Sequence, residues 1–132
     1  MERKARYLDK LAHVDKRIAN VREWLPQALE DEKTKLAVYK AFQEAVEALL
    51  DIAAMKLANL SIPPKDDYTN LKELHTLGLL KAEHLNAMRK ANGLRNRLIH
   101  SYNTLSDEVA IKSIHELLPE LVEVRRIMEA WI

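Results

Sequence analysis

Residues 95–102 read RNRLIHSY, so two guanidiniums, an amide, an imidazole and a phenol fall within eight positions of a chain otherwise dominated by Leu, Ala, Lys and Glu. An imidazole titrates near neutrality and is the natural proton carrier at physiological pH. A guanidinium stabilises charge developing on a phosphate through a planar fork of donors. Together they suit cleavage of a phosphodiester whose nucleophile comes with the substrate, as the 2′-hydroxyl does in RNA. Such chemistry needs a base, a cation for the crowded phosphorane and an acid for the leaving oxygen, but no metal. One histidine cannot easily serve as base and acid at once, whereas a two-fold dimer supplies two.

The surrounding charge is local. Between Glu83 and Asp107 there is no acidic residue, and Arg89, Lys90, Arg95 and Arg97 give the segment a charge of +4 in a chain whose formal net charge is +1. A bulk polyanion binder is thereby excluded, but a local phosphate-binding patch is not. A basic helix end complementing its own dipole accounts for the same charges. Met88, Asn92, Arg95, Ile99 and Tyr102 recur at three and four and share one helix face, which places Arg95 inward. An inward arginine requires an acidic partner or an anion. Glu47 and Asp51, one turn apart on an earlier helix, are the internal candidates, and an ion pair with them could be the whole of its role. His100 follows Arg95 by five residues, about 140° around a regular helix, so the two side chains diverge if the helix continues through His100. They converge only if the helix stops near Ile99 or if a second subunit brings its own copies. Asn96, one turn before His100, can orient the imidazole, and Gly93 leaves space for a neighbouring helix.

The elements that position these groups are helices. Tyr7, Leu11, Val14, Ile18, Val21 and Leu25 form one apolar stripe; Tyr39, Phe42, Val46, Leu49, Ala53, Leu57 and Leu60 a second; Ala110, Ile114, Leu117, Leu121, Val124, Met128 and Trp131 a third. Each is narrow, like the seam of an antiparallel bundle. Pro26 closes the first stripe, and Pro63 and Pro64 forbid helix across SIPPKDDY. A short helix is expected over NLKELHTLGLL and a longer one from about Lys81 to Ile99. Thr104 or Ser106 would cap the last helix, in which Pro119 should produce a kink. The expected fold class is all-α, an antiparallel bundle of four main helices plus a short one, forming a single domain over residues 1–132. Apolar residues make up 48% and charged residues 31% of the chain, enough for one core.

Other chemistries find no support. There is no cysteine, hence no disulfide or thiol nucleophile. His13, His75, His84 and His115 lack metal-ligand spacing and read as surface or boundary residues, so no metal and no cofactor is expected. No glycine-rich phosphate loop, hydrolase elbow, signal peptide or membrane span is present, and a cytoplasmic location is the default. Trp24 and Trp131 lie on apolar stripes and read as core or dimer contacts.

Arg95, Asn96, His100 and Tyr102 match R-N-x-x-x-H-x-Y at the end of the fourth helix of a small helical domain, and on these residues the chain resembles HEPN-domain proteins of the HepT type. The resemblance takes in EALLDIA, with Glu47 and Asp51, the proline turn and LNAMRKANGLRNRLIHSY. It implies the HEPN fold and a dimeric, metal-independent endoribonuclease, the toxin of a toxin–antitoxin pair. Arg95 would hold and stabilise phosphate, His100 would transfer the proton, and Asn96 is the polar residue after the arginine. Arg89, Lys90 and Arg97 are the further phosphate contacts expected from the charge of the segment. Tyr102 corresponds to a tyrosine that an MntA-type nucleotidyltransferase partner modifies with AMP. Bulk and negative charge placed there would compete with RNA phosphate for the site. Relatives that act only as non-catalytic binding subunits of minimal nucleotidyltransferases supply the alternative reading, and a plain helical adaptor is a third.

Overall fold

A computed structural model describes residues 2–100 and 105–132. It contains five α-helices and one short 3₁₀ turn: α1 Glu2–Trp24, the turn Leu25–Gln27, α2 Glu32–Asn59, α3 Asp67–Thr76, α4 Ala82–His100 and α5 Asp107–Glu129. No strand occurs among the described residues, and the all-α expectation of four main helices and a short one holds.

The first and third apolar stripes are buried as their spacing requires. Tyr7, Leu11, Val14, Ile18 and Val21 of α1 and Ala110, Ile114, Leu121, Val124 and Met128 of α5 all belong to one core cluster. The second stripe is wider than a seam. Val38, Ala41, Ala45, Ala48, Leu50 and Ile52 are buried in addition to Phe42, Val46, Leu49, Ala53 and Leu57. The reason is position: α2 packs against α1, α3, α4 and α5, so it needs apolar residues over most of its circumference. The alanines keep those neighbours close. Leu60, by contrast, sits at the helix end and is 44% exposed, outside the core that its spacing had assigned it to.

Helix ends follow from local chemistry. Asp31 caps α2 by accepting the Thr34 N–H at 3.1 Å, and Ser106 caps α5 through the Val109 N–H. Both α2 and α3 finish in a Schellman arrangement. The Ile62 N–H reaches back to the Leu57 carbonyl at 2.9 Å, and the Leu79 N–H to that of Leu74 at 2.9 Å. Each requires a left-handed residue at the turn, which is Gly78 in one case (φ 79°) and Ser61 in the other (φ 62°). Pro119 leaves α5 continuous from Asp107 to Glu129; Pro119 and His115 are exposed, so water can reach the carbonyl that loses its partner. His84 lies deeper than the surface or boundary placement expected of it. It is 5% exposed, and its Nδ1 accepts the Lys81 N–H at 3.2 Å, closing the open end of α4.

Candidate active site

Arg95 lies on the inward side of α4, as its spacing predicts, with 16% of its side chain exposed. Three residues hold it. Nη1 donates to Glu47 Oε1 of α2 at 3.0 Å, Nε donates to Asn92 Oδ1 one turn earlier at 3.1 Å, and Nη2 lies 3.6 Å from Asp67 Oδ2 at the start of α3. Two of the five guanidinium N–H donors are thus engaged in hydrogen bonds, leaving others for an anion. Glu47 is therefore an arginine partner, as expected. Asp51 is not. It pairs with Lys10 of α1 at 2.8 Å, because one further turn of α2 carries it about 6 Å along the axis and onto the flank that α1 covers. Asp67 is the carboxylate that sequence reasoning missed.

Helix α4 runs through His100, its last residue. Within one chain Arg95 turns toward α2 and α3, while His100 is exposed at the end of the described part of α4, about 140° away on the helical wheel. Asn96, one turn before His100, is exposed on the same side. Tyr102 lies outside the described residues.

The remaining cations do not share one face. Lys90 and Arg97, together with Gly93, line one wall of an open groove of about 700 Å³ between α4 and α5, whose opposite wall carries Glu116 and Glu120. No side chain narrows the groove at Gly93, where an added Cβ would meet nothing within 4 Å. Arg89 lies over the ring of Tyr68, 4.7 Å from its centroid. The expected cationic patch is in fact three separate settings distributed around α4.

Helix α3 supplies two of these settings, and its start is firmly built. Asp66 accepts the Thr69 N–H at 2.9 Å, which together with the Thr69 hydroxyl holds its carboxylate below the ordinary value of 3.8. Asn70, 3% exposed, accepts the Lys65 N–H at 2.7 Å and donates to the Lys65 carbonyl at 3.2 Å. The chain emerging from Pro63 and Pro64 is thereby locked before Asp67 and Tyr68 appear.

Beyond the motif, Asp107 anchors the start of α5 to the start of α2. Lys35 Nζ donates to Asp107 Oδ2 at 2.8 Å and the Tyr39 hydroxyl to Oδ1 at 2.6 Å. Lys35 first, and Tyr39 after it, hold this carboxylate below its ordinary range. Burial, then the bond to Asp107, pushes the Tyr39 phenol well above its own. Among the described residues, no group of three or more His, Cys, Asp or Glu side chains is placed to hold a metal ion, and no helix is long and apolar enough to cross a membrane.

Solved structures share this architecture. A tri-AMPylated Shewanella oneidensis HEPN toxin, solved in complex with MNT antitoxin, superposes with a TM-score of 0.87 at 19% identity, over 95% of this chain and 97% of that one. A chain from a mutant MntA–HpeT toxin–antitoxin structure gives 0.85 at 19% identity, over 95% and 98%. The fold is that of the HEPN toxins. In sequence, an Archaeoglobus fulgidus protein named "Putative RNase" is 36% identical over 122 residues, spanning 92% of this chain and 89% of the relative. Residues 8–128 match the family model described as Ribonuclease HepT-like. The chain belongs to the HepT-like ribonuclease family.

Proposed function

We propose that the protein is a metal-independent endoribonuclease, the toxin of a toxin–antitoxin pair, acting as a homodimer in which two α4 tips share one cleft. The observation that carries this reading is the position of Arg95, Asn96 and His100: in a HepT-like chain, they fall in the last turns of the described part of α4, with Arg95 held between Glu47, Asn92 and Asp67 and with His100 exposed. In the reaction, one His100 takes the proton of a ribose 2′-hydroxyl, whose oxygen attacks the adjacent phosphorus. Arg95 neutralises the phosphorane, and the partner's imidazolium returns a proton to the departing 5′-oxygen. The products are a 2′,3′-cyclic phosphate and a 5′-hydroxyl. The need for a second imidazole as the acid is the reason the reading includes a second copy, and the divergence of Arg95 and His100 around α4 supports it.

The purified protein should cleave RNA in EDTA and elute at twice its 15.3 kDa chain mass. Arg95→Ala and His100→Ala should melt near wild type and lose cleavage by a factor on the order of 10² or more. Cleavage surviving in both variants removes the site assignment. Regulation belongs to Tyr102: an MntA-type nucleotidyltransferase with ATP should add AMP mass to wild type and none to Tyr102→Phe, and adenylylated protein should no longer cut. Stable association with that partner without cleavage of any RNA is the outcome expected of a non-catalytic binding subunit.

A further inference from the structure

Tyr68 has no evident task in the fold. The other aromatic residues described here are buried or packed against the core, whereas Tyr68 is 43% exposed on the first turn of α3. It is also the immediate neighbour of Asp67, which contacts Arg95. Arg89, itself exposed, lays its guanidinium over the ring, 4.7 Å from the centroid. An exposed cation–π pair contributes little to stability. A flat ring and a flat cation held in register beside a phosphate-binding arginine do, however, match how proteins hold unpaired bases, which stack on aromatic faces and on guanidinium planes alike.

We propose that Tyr68 and Arg89 form a nucleobase-stacking subsite that receives an unpaired base of single-stranded RNA next to the phosphate engaged by Arg95. The inference rests on the ribonuclease reading above and adds a binding determinant to it. Three features favour RNA as the occupant. The backbone that bears the ring is held before any ligand arrives, because Asn70 clamps both backbone groups of Lys65 and Asp66 caps the helix. The platform is cationic, since Arg89 forms one of its layers and lies six residues from Arg95, about 9 Å along the α4 axis and about 120° around it. And Asp67 and Tyr68 are consecutive, so the carboxylate that positions Arg95 and the ring that would hold the base move together. Stacking reads the presence of a base and not its identity, so the subsite selects unpaired over paired RNA without imposing a sequence. It also changes the part expected of Arg89, from a phosphate contact to one layer of the stack.

Binding of a 2′-O-methyl oligonucleotide, which lacks the attacking hydroxyl, tests this by fluorescence anisotropy on the full-length protein. Wild type should bind the intact strand and lose affinity by about 5- to 100-fold when an abasic site is walked into one position. Tyr68→Leu should bind the intact strand more weakly by a similar factor and be indifferent to the abasic walk. Tyr68→Phe should restore both properties, and Arg89→Lys should not restore what Arg89→Ala loses. Tyr68→Gln provides a polar replacement if leucine at this exposed position promotes aggregation. Tyr68→Leu with wild-type affinity, in protein whose Arg95→Ala variant has lost binding, overturns the subsite while leaving the ribonuclease reading intact. Unchanged RNA binding with weakened capture of an MntA-type nucleotidyltransferase assigns the ring to protein docking and overturns the subsite too. A wild type with neither RNA affinity nor cleavage overturns both readings.

Discussion

Arg95 illustrates how a side chain can be held and still remain available. Its clasp combines a charged contact from α2, an amide from its own helix and a second carboxylate from α3. Glu47 and Asp67 are both half-exposed, so their value lies in aim more than in stability. Glu47→Gln keeps an acceptor but loses the charge, and Asp67→Asn does the same on the other side. Each should lower kcat by roughly 10- to 100-fold through misplacement of the guanidinium, less than Arg95→Ala, with melting temperature nearly unchanged. Asp51→Asn, which only breaks the exposed pair with Lys10, should leave cleavage at the wild-type rate; single-turnover kinetics on the three variants separates them. The sequence made half of this visible. An inward arginine demands an acid, and the two carboxylates on EALLDIA were the candidates, but periodicity cannot say which of two acids one turn apart a neighbouring helix will cover. Asp67 and Tyr68 were hidden for a different reason: they reach α4 only because the chain turns after Pro63 and Pro64, and the direction of that turn is a tertiary fact.

At the level of elements, boundaries were legible wherever a residue acts on its own backbone. Ser106 and the proline pair announce their turns through bonds they make or cannot make. Burial around α2 was less legible, since alanine is equally at home on a solvated helix and at a close helix crossing, and only the four surrounding helices settle which applies. His84 was misjudged because an imidazole capping its own helix from inside the protein carries no distinguishing spacing. The two Schellman turns differ in one instructive way. Gly78 accepts its left-handed φ of 79° without strain, whereas Ser61, at 62°, bears the steric cost of a side chain there. Ser61→Gly should therefore stabilise the protein by about 0.5–1 kcal/mol, a rise of about 2–4 °C in Tm by calorimetry. Gly78→Ala should lower it by a similar amount or more.

For the whole molecule, the charged groups predict how stability responds to acid. Arg17 holds Glu44, Lys35 holds Asp107 and Arg126 holds Glu123 below their ordinary values, and Thr69 and Thr34 do so for Asp66 and Asp31. A carboxylate depressed in the folded state adds stability that is complete above its unfolded value, near 4, and disappears as pH falls through the lower folded value. Urea midpoints should thus be flat from neutrality to about pH 5 and drop steeply below pH 4. Asp107→Asn should be less stable at neutral pH and lose less on acidification, because it no longer has that proton to take up.

Helix α4 does not stop short of His100. A lone copy consequently carries its guanidinium and its imidazole on different sides of α4, so under the proposed mechanism catalysis waits on an encounter between two chains. Specific activity should collapse on dilution below the dimer dissociation constant, and the output of scarce protein should grow with the square of its concentration. Under the same mechanism a newly made chain would be inactive in isolation, with cleavage arriving as a threshold that synthesis must cross.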